Sequence, residues 1–247
     1  MPPRAARPVG VVLVDKPARA SSFASVAALR RRTRARTGHT GTLDPFATGL
    51  LVLLSGAATR LAPCFVGLDK RYVTDVDLTS TTSTGDPEGE EVSRHDAPAP
   101  DELEARLARL RGQVELPIPA ASAVKIGGER AYRLARRGIA VEMPLRRSQV
   151  YALEVIAYSG GTVRLAAHVG SGTYVRALAQ SLGGHCVTLR RTAVGPFAVE
   201  EADPERWLTV AGALARLPAG AAERVPAAVR EAVLALEEAP AGPAGRA

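Results

Sequence analysis

The sequence predicts a mixed α/β (α+β) domain, with a mainly antiparallel β-sheet core and flanking helices. Three observations carry that expectation. Lys70 to Leu78 alternates polar and apolar with the two-residue period of a half-buried strand, which puts Tyr72, Thr74 and Val76 on one face. Arg146–Tyr158 and Thr162–Val169 are two strand-like runs joined by Ser159-Gly160-Gly161, a hairpin signal. Between such runs lie helical stripes; the clearest is Leu103, Leu107 and Leu110, with Asp101 and Glu102 at its start and Arg109 and Arg111 at its end.

The other elements follow in order. Val9–Asp15 is a short β-branched run closed by Lys16-Pro17, which predicts a buried strand. Ser21-Ser22 can cap a helix to about Thr33, with Val26 and Leu29 facing in. That helix ends in Arg30-Arg31-Arg32, followed by Arg34 and Arg36, the densest positive run in the chain. Such a run is either a solvated face or a phosphate contact. Gly38 to Leu51 then predicts a turn feeding a helix. Asp44-Pro45 has the form of a helix start, and Leu50–Leu54 is too apolar for a solvated face, so the helix is expected to be buried. A second helical stretch is expected near Ala57–Phe65.

Thr79–Glu91 is a polar turn region, Pro98–Arg111 the amphipathic helix, and Leu116–Lys125 an extended, proline-broken segment. Gly127-Gly128 opens a basic helical stretch, Glu129 to Arg137, ended by Gly138. Arg130, Arg133, Arg136 and Arg137 recur on it at helical spacing, which fits a solvated surface helix or a mobile RNA clamp. In the second strand of the hairpin Val163, Leu165, Ala167 and Val169 share a face opposite Arg164 and His168. Gly172–Arg176 starts a helix to about Leu182, and Val187–Phe197 is a last core strand. From Glu200 the chain becomes alanine-rich: helical pieces over Pro204–Leu217 and Ala221–Glu237, then a tail expected to be disordered.

Composition narrows the function class. The 247 residues suit one large domain, or one domain with a small appendage, and 46% hydrophobic content is ample for a core. A net charge of +7 suits a polyanionic partner such as nucleic acid or an anionic membrane surface. No apolar run approaches the roughly 20 residues that span a bilayer, and no signal-peptide pattern is present, so a cytoplasmic protein is expected. Cys64 and Cys186 make no disulfide framework, and His39, His95, His168 and His185 show no metal-ligand spacing. The chain holds three lysines against a large excess of arginine: Lys16, Lys70 and Lys125. Compact ammonium groups in so arginine-biased a chain mark positions where shape matters, or chance retention.

The string GHTGTLDPFATGLL, Gly38 to Leu51, resembles the signature of the TruB family of tRNA pseudouridine synthases. VLVDKP, LDKRY, SAVK, GTYVR and TLRR resemble that family's further motifs, in the expected order. The resemblance covers about Val9 to Phe197. It implies the pseudouridine synthase fold, a catalytic domain over 1–199 and an RNA-gripping insertion over about 125–147. It also implies Asp44 as the nucleophile, Tyr72 stacked on a flipped-out uracil, and Arg176 paired with the aspartate. Tyr174 would line the pocket, His39 would fill the space left by the flipped base, and Leu189, Lys16 and Lys125 would serve substrate binding. The implied partner is the T arm of tRNA, at uridine-55; no metal and no cofactor are implied, and a monomer is expected. Residues 200–247 lack strand alternation, so the β-rich PUA-type domain that relatives carry at the C-terminus is expected to be missing or replaced. Thr79–Glu91 departs from the family's pattern.

Residue by residue, plainer readings stand beside these. Asp44 alone would be a cap, Tyr72 and Leu189 core, Arg176 a surface charge and His39 a turn residue. The chemistry explains the set. Pseudouridine formation breaks N1–C1′ and joins C5 to C1′, which takes an ionised carboxylate beside the sugar, a neighbouring opposite charge that favours ionisation, and an aromatic face for the extruded base. Two other readings are a tRNA-binding folding factor without obligatory catalysis and a pseudouridine synthase for another RNA.

Overall fold

The computed structural model describes residues 8–122, 124–137, 139 and 143–238. The elements in the first part of the chain are β1 (Gly10–Lys16), α1 (Ser22–Thr33), β2 (Thr37–His39), β3 (Thr48–Ser55), α2 (Ala62–Val66), β4 (Lys70–Asp77), β5 (Ser80–Thr82) and β6 (Glu91–Arg94). Then come α3 (Pro100–Arg109), β7 (Gly112–Pro117), β8 (Lys125–Ile126), β9 (Glu129–Arg130), α4 (Ala131–Arg136), β10 (Leu145–Ser159), β11 (Thr162–Val169), α5 (Val175–Ser181) and β12 (His185–Val194). The chain closes with β13 (Phe197–Ala198), α6 (Val210–Ala215) and α7 (Ala227–Glu238). This is the expected mixed α/β fold with a mainly antiparallel sheet. Gly138, expected to stop the basic helix, and the tail beyond Glu238 lie outside the described residues.

The chain forms two compact units, residues 1–70 with 191–247, and residues 71–190. In the first unit β1 pairs antiparallel with β3, Gly10 opposite Ser55 through Lys16 opposite Gly49, and β2 also pairs with β3. Here one expectation fails: Leu50–Leu54 is strand, not helix. Seven of the eight residues of β3 are buried, because both of its faces are covered. Leu50, Val52 and Leu54 join Val11, Leu13, Phe65 and Phe197 in one cluster, which Val210, Ala213 and Val233 of the C-terminal helices complete. Leu51 and Leu53 join Val12, Val26 and Leu29 in the other, beneath α1. A strand covered on both sides loses its two-residue signature, and the glycines at its two ends, Gly49 and Gly56, both take positive φ.

In the second unit the hydrogen-bonded order is β12-β4-β11-β10-β7. β10 and β11 form the expected hairpin, with Gly160 and Gly161 both at positive φ in the turn. Val163, Leu165, Ala167 and Val169 are all buried, as the alternation requires. The amphipathic helix is α3, with Leu103 and Leu107 inside. Two small ribbons lie where the sequence suggested turn and helix: β5–β6 inside and beyond Thr79–Glu91, and β8–β9 around Gly127-Gly128, ahead of α4.

Candidate active site

Asp44 sits on the loop between β2 and β3, half-buried. No helix starts there; its carbonyl accepts the N–H of Ala47 at 3.1 Å and closes a turn. The loop is held from two sides by groups of its own unit. On the α1 side, the Ser22 hydroxyl donates to Leu43 O at 3.0 Å and accepts the Leu43 N–H at 2.8 Å. The N–H of Arg19 donates to Pro45 O at 2.7 Å. Lys16 is fully buried, and its Nζ donates to Ala20 O, Pro17 O and Pro45 O at 2.7, 2.9 and 3.3 Å.

On the other side stands Arg191, 2% exposed, which reaches from β12 with one guanidinium across both ends of the loop. Its Nε donates to Leu50 O at 2.7 Å, Nη2 to Gly41 O at 3.1 Å and Nη1 to Thr42 O at 3.4 Å. Buried carbonyls need donors, and a planar guanidinium can satisfy several at once. The backbone on either side of Asp44 is thereby fixed by two buried cations and a hydroxyl.

His39 ends β2 and is half-buried, with Nδ1 enclosed and without a hydrogen-bond partner. Burial, and then the charge of Arg191, push its pKa below the ordinary histidine value. The neutral imidazole is the form the fold favours, and stability associated with it falls as pH drops through the ordinary value. Lys70, at the border of the unit, is buried and donates to Leu68 O at 2.6 Å and Val66 O at 2.8 Å. Its pKa is lowered to about 8, first by burial and then by Arg191.

In the second unit, Tyr72 lies on the inner face of β4 and is 8% exposed, and Leu189 is buried on β12. Tyr174 is the residue before α5, and its carbonyl accepts the N–H groups of Ala177 and Leu178. Arg176, in the first turn of α5, is 2% exposed. Its Nη1 donates to Thr84 O at 2.8 Å, its Nη2 donates to Ala121 O at 3.0 Å, and Nη1 lies 3.3 Å from the Asp86 carboxylate. Asp86 is also buried, and its other oxygen accepts the Thr84 hydroxyl at 2.6 Å and the Glu88 N–H at 3.0 Å. Lys125 is exposed at the start of the β8–β9 ribbon.

Sequence reasoning did not find Ser22, Arg191 or Asp86. Ser22 reads as a helix cap, and Ser21 is the residue that caps. Arg191 reads only as the last residue of the TLRR string on the strand Val187–Phe197, and Asp86 lies in the polar turn Thr79–Glu91. Among the described residues no three His, Cys, Asp or Glu side chains come together as a metal site. Among the described residues, no helix is long and apolar enough to cross a membrane.

Residues 30–175 match the family model described as TruB family pseudouridylate synthase, N-terminal domain. A tRNA pseudouridine synthase B of Xanthomonas campestris is 43% identical over 201 residues, 78% of this chain and 65% of that protein. One of Bordetella avium is 39% identical over 232 residues, 85% of this chain and 94% of that protein. Among solved structures, a chain from a Cbf5-Nop10-Gar1 complex superposes with a TM-score of 0.60 at 27% identity, covering 83% of this chain and 54% of that one. This chain therefore spans about two thirds of the Xanthomonas relative and about half of the superposed one.

Proposed function

We propose that this chain, which belongs to the TruB family of pseudouridylate synthases, isomerises a uridine of tRNA to pseudouridine, at position 55 in the T loop. The observation that carries this reading is the held loop of Asp44, inside the stretch matched by the family model. A carboxylate that must approach a ribose needs a backbone that does not drift, and clamping by Lys16, Ser22 and Arg191 supports that.

In this reading Asp44 is the nucleophile and Arg176 its charge partner. Tyr72 gives the aromatic face on which the extruded uracil stacks, and Tyr174 lines the pocket. His39 occupies the place of the flipped base, and Leu189 borders it. The N1–C1′ bond breaks, the uracil turns while held, and C5 joins C1′; the C5 proton leaves to solvent and N1 takes one up, so the product is an isomer and no net oxidation or reduction occurs. Lys16 acts through the loop it holds, and Lys125 meets RNA backbone on the insertion over about 125–147. Residues 1–199 carry the chemistry. The chain works as a monomer in the cytoplasm, without a metal.

The test is release of tritium from 5-tritiated uridine in a tRNA transcript, with pseudouridine mapped at the T loop. Asp44→Asn is expected to abolish release while leaving RNA binding in place. Arg176→Ala is expected to be nearly inactive in single-turnover assays. Normal turnover by Asp44→Asn would falsify the nucleophile assignment.

A further inference from the structure

We propose that Arg19, Arg30, Arg31, Arg34 and Arg36 form a phosphate-binding track that starts at the Asp44 loop and runs to the far end of α1, about 18 Å away, and grips the backbone of the same RNA. The proposal rests on the RNA-modifying reading above and adds the surface that holds the substrate.

Two independent observations carry it. The first is charge without counter-charge. All five side chains are exposed, and none of their guanidinium groups has an ion pair or hydrogen bond among the described residues. Some exposed arginines elsewhere are paired, as Arg94 with Glu91, Arg111 with Glu104, Arg137 with Glu129 and Arg164 with Asp75; others without a pair among the described residues, such as Arg60, Arg109 and Arg206, are scattered along the chain rather than gathered in one run. Even within the run Arg32 is paired, with Glu205. Clustered cations left without partners repel one another, and a polyanion relieves that repulsion.

The second is backbone conformation. Among the described residues, two that are not glycine take positive φ, and both are arginines of this track: Arg19 at 63° and Arg34 at 55°. Arg34 caps α1, its N–H bonded to Arg30 O at 2.8 Å, at a place where glycine is the usual residue. Arg19 donates its N–H to Pro45 O, one residue from Asp44. Left-handed backbone disfavours a side chain with a Cβ. Arginine at both positions points to the side chain's own work.

Helix electrostatics accounts for part of the pattern. Arg30 and Arg31 lie in the last turn of α1, where cations oppose the helix dipole. Arg34 and Arg36 lie beyond the helix, and Arg19 lies before it, so the dipole does not explain them. Arg36 directly precedes β2, and β2 ends at His39; at roughly 3.3 Å per extended residue, the two Cα atoms are about 10 Å apart. One short RNA stem-loop can reach both.

The experiment measures binding of a tRNA transcript to the full chain by fluorescence anisotropy, from about 50 to about 200 mM KCl, a range over which phosphate contacts weaken sharply. An Asp44→Asn background keeps turnover out of the measurement. Adding Arg19→Gly and Arg34→Gly together should reduce the slope of log Kd against log salt by about 1.4 to 1.8, two phosphate contacts' worth. The parent should then lose roughly tenfold more affinity than the double variant across that range. The double variant should melt no lower than its parent, because glycine suits both backbones. Arg34→Lys should keep the slope, and Arg94→Ala, which removes a paired arginine, should leave it unchanged. An unaltered slope in the double variant, a lower melting temperature for it, or a loss of slope in Arg34→Lys equal to that in Arg34→Gly would each overturn the proposal. Tritium release by the unmutated chain is scored separately: its absence would sink the isomerase reading, while the salt slopes still judge the track.

Discussion

The loop of Asp44 and the helix start of Arg176 are built in opposite ways. In the first unit, an anionic side chain rides on backbone that buried cations hold by its carbonyls: Lys16 at Pro45, and Arg191 at Gly41, Thr42 and Leu50. In the second, the group proposed to act is itself the buried cation. It is held by two carbonyls and by a carboxylate, Asp86, which in turn is fixed by Thr84 and Glu88. One design fixes a main chain and lets the side chain follow; the other fixes the head group directly. The first should be vulnerable to anything that moves backbone, the second to loss of one charge.

The largest effect is expected from backbone. Gly49 takes φ of 106°, and a Cβ there would stand 2.2 Å from Arg191 O and 2.6 Å from Arg191 N. No side-chain rotation relieves a clash with main chain, so Gly49→Ala must push β12 and the anchoring guanidinium of Arg191 away together. A cost of about 4 kcal/mol or more is expected, a fall in melting temperature of roughly 10 °C, with uridine turnover lost in parallel. An unchanged melting curve would show that the loop is not held as described.

Next comes charge. Asp86→Asn keeps the shape and can still accept from Thr84 and Glu88, but it takes one carboxylate charge away from the buried Arg176 guanidinium. Removing one partner of a buried pair costs about 3–5 kcal/mol, less where carbonyls continue to bind the survivor. Turnover should fall with stability, and chemical denaturation compared with single-turnover rates will separate the two. If both stay at the unmutated level, the pair contributes nothing and the contrast between the two designs collapses.

What could be read from the sequence follows the same division. β4, β11 and α3 were legible because each has one wet face, so periodicity reports burial directly. β3 was not, because five consecutive apolar residues covered on both sides carry no period, and Asp44-Pro45 imitates a helix start. Gly49 and Gly56 at its ends, and its short length, were the signals that favoured strand. The β8–β9 ribbon is two residues a side, below what a pattern can register, and its Gly127-Gly128 was read as the opening of a helix. The motif residues could be named, but not their anchors: Asp44 and Arg191 are 147 positions apart, and Arg176 and Asp86 are 90 apart, by subtraction of their numbers. Long-range hydrogen bonds to carbonyls depend on no residue type at the acceptor, so they leave no trace in a sequence.

The smallest effect sharpens the account of buried cations and is read against pH. Lys70 has a pKa of about 8 in the folded chain against 10.5 for an ordinary lysine, chiefly from burial and then from Arg191, although two carbonyls accept from it. Below pH 8 both folded and unfolded chains hold the proton, and the cost of burying the charge is fully present. Between about pH 8 and 10.5 the unfolded chain holds the proton while the folded one releases it, so the Lys70 contribution to stability rises with pH through that window. Its full size is on the order of 3 kcal/mol, reached near the upper end. Lys70→Met removes the titration and keeps much of the side chain's length. The melting temperature of the unmutated chain minus that of Lys70→Met should therefore climb as pH is raised from 8 to 10.5, the difference cancelling the titration of every other group. A difference that stays flat would mean that the ammonium is as well solvated by Val66 O and Leu68 O as it is by water. Burial would then cost this cation nothing that a rise in pH could recover.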